Sequence, residues 1–408
     1  MLKKSNKIIA VLLVLLLTLS LAACRGGDSQ ISGHDEDIQY TVGVAVFNPE
    51  DPELKMFMNY YRNYIQAGFP VKFYFSDKLS SAEDENDFIR TMKEKGADGI
   101  ISFYGLDVQS TVKVCEEEEL YYILGSGTIS DEDFDAVKDN PWFVGTVGPD
   151  PALEYQAGTS MGTYIDETGA QSCLILTGGA PSGNFMHLSR AKGMLEQLGY
   201  TGDVDALLAS AEPSELTIGQ MSVTLCPGYL SSEEVQENLA AALEEKDYDA
   251  VMMSYGVTSI LEQLLEKEQA QGKDMTIAAV DCFSEENFEA FKAKDAYGNS
   301  QINFIEGKYA SMVGPAFAML YNAMSGHPEA NSESGSAVRL YQGFWMAKDK
   351  ESYVELYGYT QGIYENAYSC KDLMGVIKVF SEDASAGKLK VLTESYTVED
   401  VKARIMEQ

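Results

Sequence analysis

Histidine is scarce in this chain, with three among 408 residues. His34, His187 and His327 are far apart in sequence, and the six cysteines include no Cys-x-x-Cys pair and none close to a histidine. Zinc and redox centres need such ligands in clusters. The sequence therefore predicts no metal site and no cofactor, and the scattered cysteines are interpreted mostly as buried small hydrophobic residues.

Positive charge is also scarce: 30 Lys and Arg stand against 63 Asp and Glu, a formal net charge of -33. Such a surface repels nucleic acid and anionic lipid, which excludes a nucleic-acid partner. Solubility at a crowded cell surface explains the acidity better than an acidic recognition patch does, although the patch stays open as the alternative.

The one long aliphatic run, residues 8–21, lies near the N-terminus and follows three lysines. It has the length of a signal-peptide core and is too short to span a bilayer. The run ends in Leu21-Ala22-Ala23-Cys24, which resembles the lipobox of bacterial lipoproteins. The resemblance implies a signal peptide at 1–23 and a lipid on Cys24 that holds the protein on the outer face of the cell membrane. An ordinary secretory signal ending in Cys is the alternative.

The rest of the chain alternates short apolar runs with segments of helical spacing. After a polar spacer at 24–37, residues 42–47 are typical of a buried strand, and the strand-helix alternation repeats up to 147. A second such series starts at Gly148. Right-handed crossovers then predict the fold class α/β, with two doubly wound parallel-sheet lobes joined by a hinge. The predicted parts are an N-terminal lobe at 38–147 plus 307–345, a C-terminal lobe at 148–306, and an extension of uncertain placement at 346–408.

Two short motifs invite a catalytic or ligand-binding interpretation. Gly158-Thr159-Ser160-Met161-Gly162 matches the nucleophile elbow of hydrolases, but it lies inside a helical pattern, where small residues ease helix packing. The glycine-rich stretch 178–183 follows a predicted strand yet lacks the lysine of a phosphate loop, so ligand contact and a plain turn both stay open. No nucleophile, base or metal cluster converges, and we expect no enzyme.

Several local patterns, in their order and spacing, resemble the type I periplasmic binding proteins, the ribose-binding-like solute receptors of ABC importers. The resemblance implies two lobes that close on a small molecule, a membrane permease as partner, and a monomer. A sensing lipoprotein of the same fold, which signals to a membrane receptor or kinase through residues after Lys348, is the alternative. The patterns are Ala97-Asp98-Gly99-Ile100-Ile101, Arg190-Ala191-Lys192-Gly193-Met194, Tyr248-Asp249-Ala250-Val251 and Ile277-Ala278-Ala279-Val280-Asp281.

The candidate ligand residues lie at the predicted strand ends. Asp281 matches the family aspartate that binds sugar hydroxyls, although an aspartate capping the next helix is the alternative. The family's stacking aromatic after the first strand is missing, and Gly125-Ser126 replaces its Asp-Arg pair. These departures favour a nucleoside, an aromatic metabolite or a sugar-like molecule with an apolar face over a simple monosaccharide. The predicted set is Phe47, Asn48, Tyr104, Ser126, Phe185, Tyr255, Asp281 and Glu306.

Overall fold

The computed structural model describes residues 38–127, 129–179, 184–332, 334–360 and 366–406. The predicted signal peptide, Cys24 and the spacer lie outside these residues, as do positions 180–183 of the glycine-rich stretch. No helix among the described residues is both long enough and apolar enough to cross a membrane.

Strands and helices alternate along most of the chain. The strands are β1 (Tyr40–Ala45), β2 (Val71–Phe75), β3 (Gly99–Ser102), β4 (Tyr121–Gly125), β5 (Phe143–Pro149), β6 (Ser172–Gly178), β7 (Ser214–Ile218), β8 (Met221–Pro227), β9 (Ala250–Met253), β10 (Thr276–Cys282), β11 (Phe304–Lys308), β12 (Val338–Gln342) and β13 (Trp345–Ala347). The helices are α1 (Pro52–Asn59), α2 (Ala82–Glu94), α3 (Val108–Glu117), α4 (Asp131–Val137), α5 (Pro151–Thr168), α6 (Phe185–Gln197), α7 (Val204–Leu208), α8 (Glu233–Glu245), α9 (Leu261–Gln271), α10 (Glu285–Lys292), α11 (Gly314–Met324), α12 (Lys350–Gly358), α13 (Cys370–Met374), α14 (Ala386–Glu394) and α15 (Val398–Met406).

The strands form two sheets. The first sheet has the order β12-β5-β4-β3-β1-β2 and is parallel throughout. The second sheet has the order β13-β11-β10-β9-β6-β8-β7 and is parallel except at its two edge strands, β13 and β7. Helices cover both faces of each sheet, since buried residues of α2 and α3 pack on one face of the first sheet and those of α1 and α11 on the other. The predicted fold class is confirmed.

Local chemistry starts and ends the helices. The Ser81 side chain accepts from the Asp84 N–H at 3.1 Å and caps α2, and the Asp150 carboxylate caps α5 in the same way at Ala152. Gly169 ends α5 with a φ of 74°, a left-handed conformation that glycine adopts without strain. α1 continues through a π-helical turn at Tyr60–Ile65.

The chain passes between the two sheets after β5, after β11 and between β12 and β13. The resemblance also predicts a crossing between the lobes near Phe283, which is absent because the strands on either side of it, β10 and β11, pair with each other. The single strand predicted at 339–345 is two strands, because Trp345 pairs antiparallel with Gly307 in the second sheet while residues up to Gln342 pair with β5 in the first.

The described part of the extension, residues 346–360 and 366–406, packs onto the rest of the molecule. α12 lies against β13 and α10, and α14 lies against β12 and α11. Its larger apolar side chains belong to the main core and are buried; they include Tyr353, Tyr368, Leu373, Ile377 and Leu389.

Four cysteines, Cys115, Cys173, Cys226 and Cys282, are buried thiols, as predicted. Burial raises the pKa of the Cys173 thiol to about 12. These side chains are therefore neutral packing groups at physiological pH.

Candidate ligand-binding cleft

An aromatic cluster of His187, Tyr229 and Tyr255 lies at the carboxyl edge of the second sheet. The His187 and Tyr255 rings are stacked with 5.8 Å between centroids, and Tyr229 meets Tyr255 edge-on at 5.5 Å. A Cβ placed on Gly178, the last residue of β6, would lie 3.0 to 3.1 Å from all three side chains. Glycine at that position thus lets the three rings close over the end of the strand.

The ring of His187 is neutral at physiological pH. Its Nδ1 lies 2.9 Å from the Tyr229 hydroxyl, and burial, with the nearby charges of Arg190 and Lys308, holds its pKa well below the usual range. In a nucleophilic active site a serine or cysteine would form the hydrogen bond to this ring nitrogen, and here the Tyr229 hydroxyl forms it instead. The ring therefore serves as a flat polar surface, which suits binding better than proton transfer.

Charged groups from both sheets meet beside the aromatic cluster. Lys308, at the end of β11, forms an ion pair with Glu53 of α1, with Nζ 2.8 Å from Oε1. Asp51, which caps α1, is close enough to Asp281 for the two carboxylates to repel. Burial, followed by the charges of Glu53 and Asp281, raises the pKa of Asp51 to about 6, against the hydrogen bonds from the Leu54 and Glu53 N–H groups, which lower it. We call the space bounded by these four side chains and the aromatic cluster the cleft.

Asp281 braces the loop that carries Tyr255. Its Oδ2 accepts from the Val257 N–H at 3.1 Å, and Oδ1 accepts from the N–H of Cys282 at 2.8 Å. The next helix is capped by Ser284, so the helix-cap alternative for Asp281 is wrong. Burial raises the pKa of this carboxyl, as expected for a group taken out of water.

The predicted residues of the first sheet lie at its carboxyl edge. Phe47 follows β1 with 41% of its surface exposed, and Asn48 turns the chain, its Oδ1 accepting from the Glu50 N–H. Tyr104 is half-buried, with its N–H donating to Ser102 Oγ at 3.1 Å. Ser126 is buried in a left-handed conformation with a φ of 56°, and its Oγ has no hydrogen-bond partner among the described residues.

Phe185 begins α6 on the opposite side of the cleft, with 49% of its surface exposed. The Asn184 side chain caps this helix by accepting from the Met186 and His187 N–H groups. Large apolar rings are therefore exposed at the carboxyl edges of both sheets, since Phe47 holds the corresponding position in the first.

Glu306 is not brought together with the other predicted residues. It pairs with Val280 inside the second sheet and faces α5, where Ser160 hydrogen-bonds its carboxyl and Arg190 lies nearby. Arg190 in turn donates to Glu154 Oε2 at 2.5 Å and to the Ser254 carbonyl at 2.7 Å. The carboxyl of Glu306 thus belongs to a polar network under the second sheet. The sequence pattern predicts a strand at 302–305 with Glu306 at its end, whereas β11 runs on to Lys308 and Glu306 lies inside it.

Sequence reasoning missed His187, Tyr229, Asp51 and Lys308. Asp51 carries a local signal, because aspartate before Pro52 is a typical helix start. His187 was set aside because no second metal ligand accompanies it, yet its partners are tyrosines 42 and 68 residues further along. Only the fold brings them together.

Comparison with solved structures identifies proteins with a similar fold. A solute-binding protein of an ABC transporter from Actinobacillus succinogenes, with bound D-allose, has a TM-score of 0.56 at 11% identity, over 78% of this chain and 99% of that one. One from Bacillus halodurans with bound myo-inositol has a TM-score of 0.55 at 14% identity, over 81% and 98%. The arabinose-transporter binding protein of a Shewanella species, bound to L-arabinofuranose, has a TM-score of 0.53 at 16% identity, over 78% and 94%.

No protein-family model and no curated relative matches the chain. At such low sequence identities, the structural similarity is evidence for a shared fold. The chain has the type I periplasmic-binding-protein fold, with two α/β lobes and three connections between them.

Proposed function

We propose that this protein is a non-enzymatic, extracytoplasmic solute-binding protein that captures a small molecule in the cleft and delivers it to an ABC importer. The observation that carries the proposal is the cleft itself, where Lys308, whose charge acts on His187 of the aromatic cluster, pairs with Glu53 of the other lobe. In the same cleft, the charge of Asp281 acts on Asp51. Ligands of open α/β sheets bind at the carboxyl ends of the strands. The similar solved structures are solute-binding proteins of ABC transporters, which supports the same role.

The proposed ligand has one flat apolar face and one polar edge. Aromatic stacking contributes about 0.5–1.5 kcal/mol beyond area burial, and the carboxylates orient hydroxyl or amino groups. Nucleosides and aromatic metabolites have both features. The similar structures hold D-allose, myo-inositol and arabinofuranose, so sugars and cyclitols belong in the test panel.

A thermal-shift panel tests the ligand site. Ligand at 100 times its dissociation constant stabilises the fold by about 2.7 kcal/mol, which raises the melting temperature. We expect nucleosides or aromatic metabolites to raise it more than ribose, glucose or galactose do. Tyr255→Ala and Asp281→Ala should reduce the shift, while Tyr200→Ala, in the turn after α6, should leave it intact. Strong stabilisation by simple monosaccharides, unchanged in the two cleft variants, would contradict the ligand class and the site.

We propose further that Cys24 anchors the protein to the membrane by a lipid. The Leu-Ala-Ala-Cys pattern supports this anchor. Each CH₂ group buried in the membrane contributes about 0.8 kcal/mol to binding, so two or more acyl chains attach a protein stably. Fatty-acid labelling in cells should mark the wild-type protein. The Cys24→Ala variant should take up no label and should be absent from the membrane fraction. Release of an unlabelled wild-type chain into the medium would refute the anchor.

The sensing alternative assigned a docking role to the residues after Lys348. Those residues bury Tyr353, Tyr368 and Leu373 in the main core, so they do not form a free arm. Import is therefore the function that the described geometry supports best.

A further inference from the structure

Three carboxylates from separate parts of the second lobe converge on one point. Glu268 lies on α9, Asp274 lies just before β10, and Asp295 lies in the loop between α10 and β11. Each contributes an oxygen, and these three oxygens lie within 4.8 Å of one another. The convergence is invisible in the sequence, where the pattern predicts no metal site.

One oxygen of each carboxylate accepts a hydrogen bond that fixes the side chain. Glu268 Oε1 accepts from the Met275 N–H at 3.0 Å. Asp274 Oδ2 accepts from the Asn299 side-chain amide at 2.9 Å. Asp295 Oδ1 accepts from the Tyr297 and Asn299 N–H groups, both at 2.8 Å. Of the remaining oxygens, Glu268 Oε2 has no hydrogen-bond donor among the described residues, and the carboxyl groups of Glu268 and Asp274 lie within hydrogen-bond reach of each other, a contact that needs a shared proton or a cation.

Glu268 is the buried member of the group. Its residue is 1% exposed, one of its carboxylate oxygens lies within 4.8 Å of those of Asp274 and Asp295, and its Oε2 is buried without a hydrogen-bond partner among the described residues. A buried carboxylate without a partner costs free energy, so one is normally paired or bound to a metal. Burial raises the pKa of Glu268, and the charges of Asp295 and Asp274 add to the effect.

No lysine, arginine or histidine of the described chain neutralises the three carboxylates. The nearest basic residues in sequence are committed elsewhere, Lys267 to Asp247 and Lys273 to Asp249. The negative charge of the cluster thus has no counter-charge in the folded protein, although the side chains are held in place by the hydrogen bonds above.

We propose that Glu268, Asp274 and Asp295 bind a Ca²⁺ ion that fixes the loop between α10 and β11. The ligands are all hard oxygens, the donors that Ca²⁺ prefers, and water would complete the six to eight ligands it takes. The irregular, partly open arrangement suits Ca²⁺ better than Mg²⁺, which demands near-ideal octahedral geometry.

The ion is structural and separate from the cleft. Asp274 precedes the first residue of β10, while Asp281 lies near its last, five residues after Thr276 and about 17 Å away at the usual rise per residue. The inference therefore does not depend on the identity of the solute.

Calorimetric titration with CaCl₂ and melting curves on the full chain test the proposal. We expect saturable Ca²⁺ binding, and a melting temperature about 2 °C higher at ten times the dissociation constant than in EDTA. Glu268→Gln and Asp295→Asn, which keep the oxygens that accept backbone hydrogen bonds, should abolish the binding heat and the shift. Glu268→Gln should also melt higher than wild type in EDTA, because it removes the buried repulsion.

Glu266→Gln, an exposed change on the same helix, is the matched control and should retain both responses. The absence of binding heat and of a shift at millimolar Ca²⁺ would overturn the proposal. So would a shift that Glu268→Gln and Asp295→Asn retain, or an equal response to Mg²⁺.

Discussion

At the residue scale, Glu306 is a carboxyl that the fold keeps near its point of titration. It is half-buried between β11 and α5, and its Oε2 has no hydrogen-bond partner among the described residues. Burial raises its pKa to about 7, against the hydrogen bond from Ser160 and the charges of Lys348 and Arg190, which lower it. At neutral pH the group is therefore partly protonated, unlike a glutamate in water.

Stability should fall as pH rises through this range. The folded protein binds the proton of Glu306 more tightly than the unfolded chain does, so between about pH 4.5 and 7 the folded state holds more protons and each increment of pH favours unfolding. The loss approaches about 3 kcal/mol above pH 7. Glu306→Gln removes this loss and should raise the free energy of unfolding at pH 8 far more than at pH 5, as measured by urea denaturation.

Glu234→Gln, in the exposed first turn of α8, is the control and should change the free energy of unfolding equally at both pH values. If Glu306→Gln changes the free energy of unfolding by the same amount at pH 5 and pH 8, then the folded protein does not raise the pKa of the Glu306 carboxyl.

The sequence could predict cleft residues only where the signal is local. Tyr255 and Asp281 follow apolar runs that become β9 and β10, so their place at the sheet edge is readable from the pattern. The partner of His187 is a tyrosine hydroxyl, and Glu53 meets a lysine 255 residues further on. The first pair depends on how separate segments of one lobe meet, and the second on how the two lobes face each other, which no run of residues records.

At the element scale, the close packing of α5 on α6 explains the Gly158-x-Ser160-x-Gly162 pattern. A Cβ on Gly158 would lie 1.9 Å from the backbone oxygen of Arg190, and one on Gly193 would lie 2.2 Å from that of Tyr155. Neither contact can be relieved by a side-chain rotation, because both partners are backbone atoms. The motif is therefore a packing motif, as predicted.

Gly158→Ala should destabilise the protein by about 1–3 kcal/mol, because the two helices must move apart. Arg190, on α6, would then shift from Glu154 and from the end of β9. Gly387→Ala, at a helical glycine with no neighbour within 4 Å of an added Cβ, is the control and should be neutral or stabilising. Equal urea midpoints for Gly158→Ala and wild type would mean that the helices do not pack this closely.

The division of residues 339–345 into β12 and β13 shows what element patterns miss. The apolar run reads as one strand, but Gly343 interrupts it at a point where the Tyr396 ring lies within 2.2 Å of an added Cβ. The glycine therefore marks the place where the chain changes sheets. Tyr396 belongs to the extension, and nothing in the sequence of residues 339–345 indicates that it packs there.

At the scale of the whole molecule, the extension lies on the connections between the lobes. The Trp345 indole donates to the Tyr396 carbonyl at 2.8 Å and stacks on Tyr309, which follows β11, with 3.8 Å between ring centroids. Gln342, the last residue of β12, donates to the Met312 carbonyl at 2.8 Å. Two of the three connections are thus joined to each other, and one of them to the extension.

Ligand should close the two lobes by bending at these connections, since hinge closure around ligands is a standard motion of two-lobed binding proteins. Closure brings Asp51 and Glu53 of the first lobe toward the aromatic cluster of the second, so the ligand contacts both lobes only in the closed form. Because the ligand binds the closed form more tightly than the open form, it shifts the population toward the closed form. Small-angle scattering should therefore show a smaller radius of gyration at saturating ligand. Tyr255→Ala at the same ligand concentration should stay at the unliganded radius, and an unchanged radius in the saturated wild-type protein would rule out closure as the response to binding.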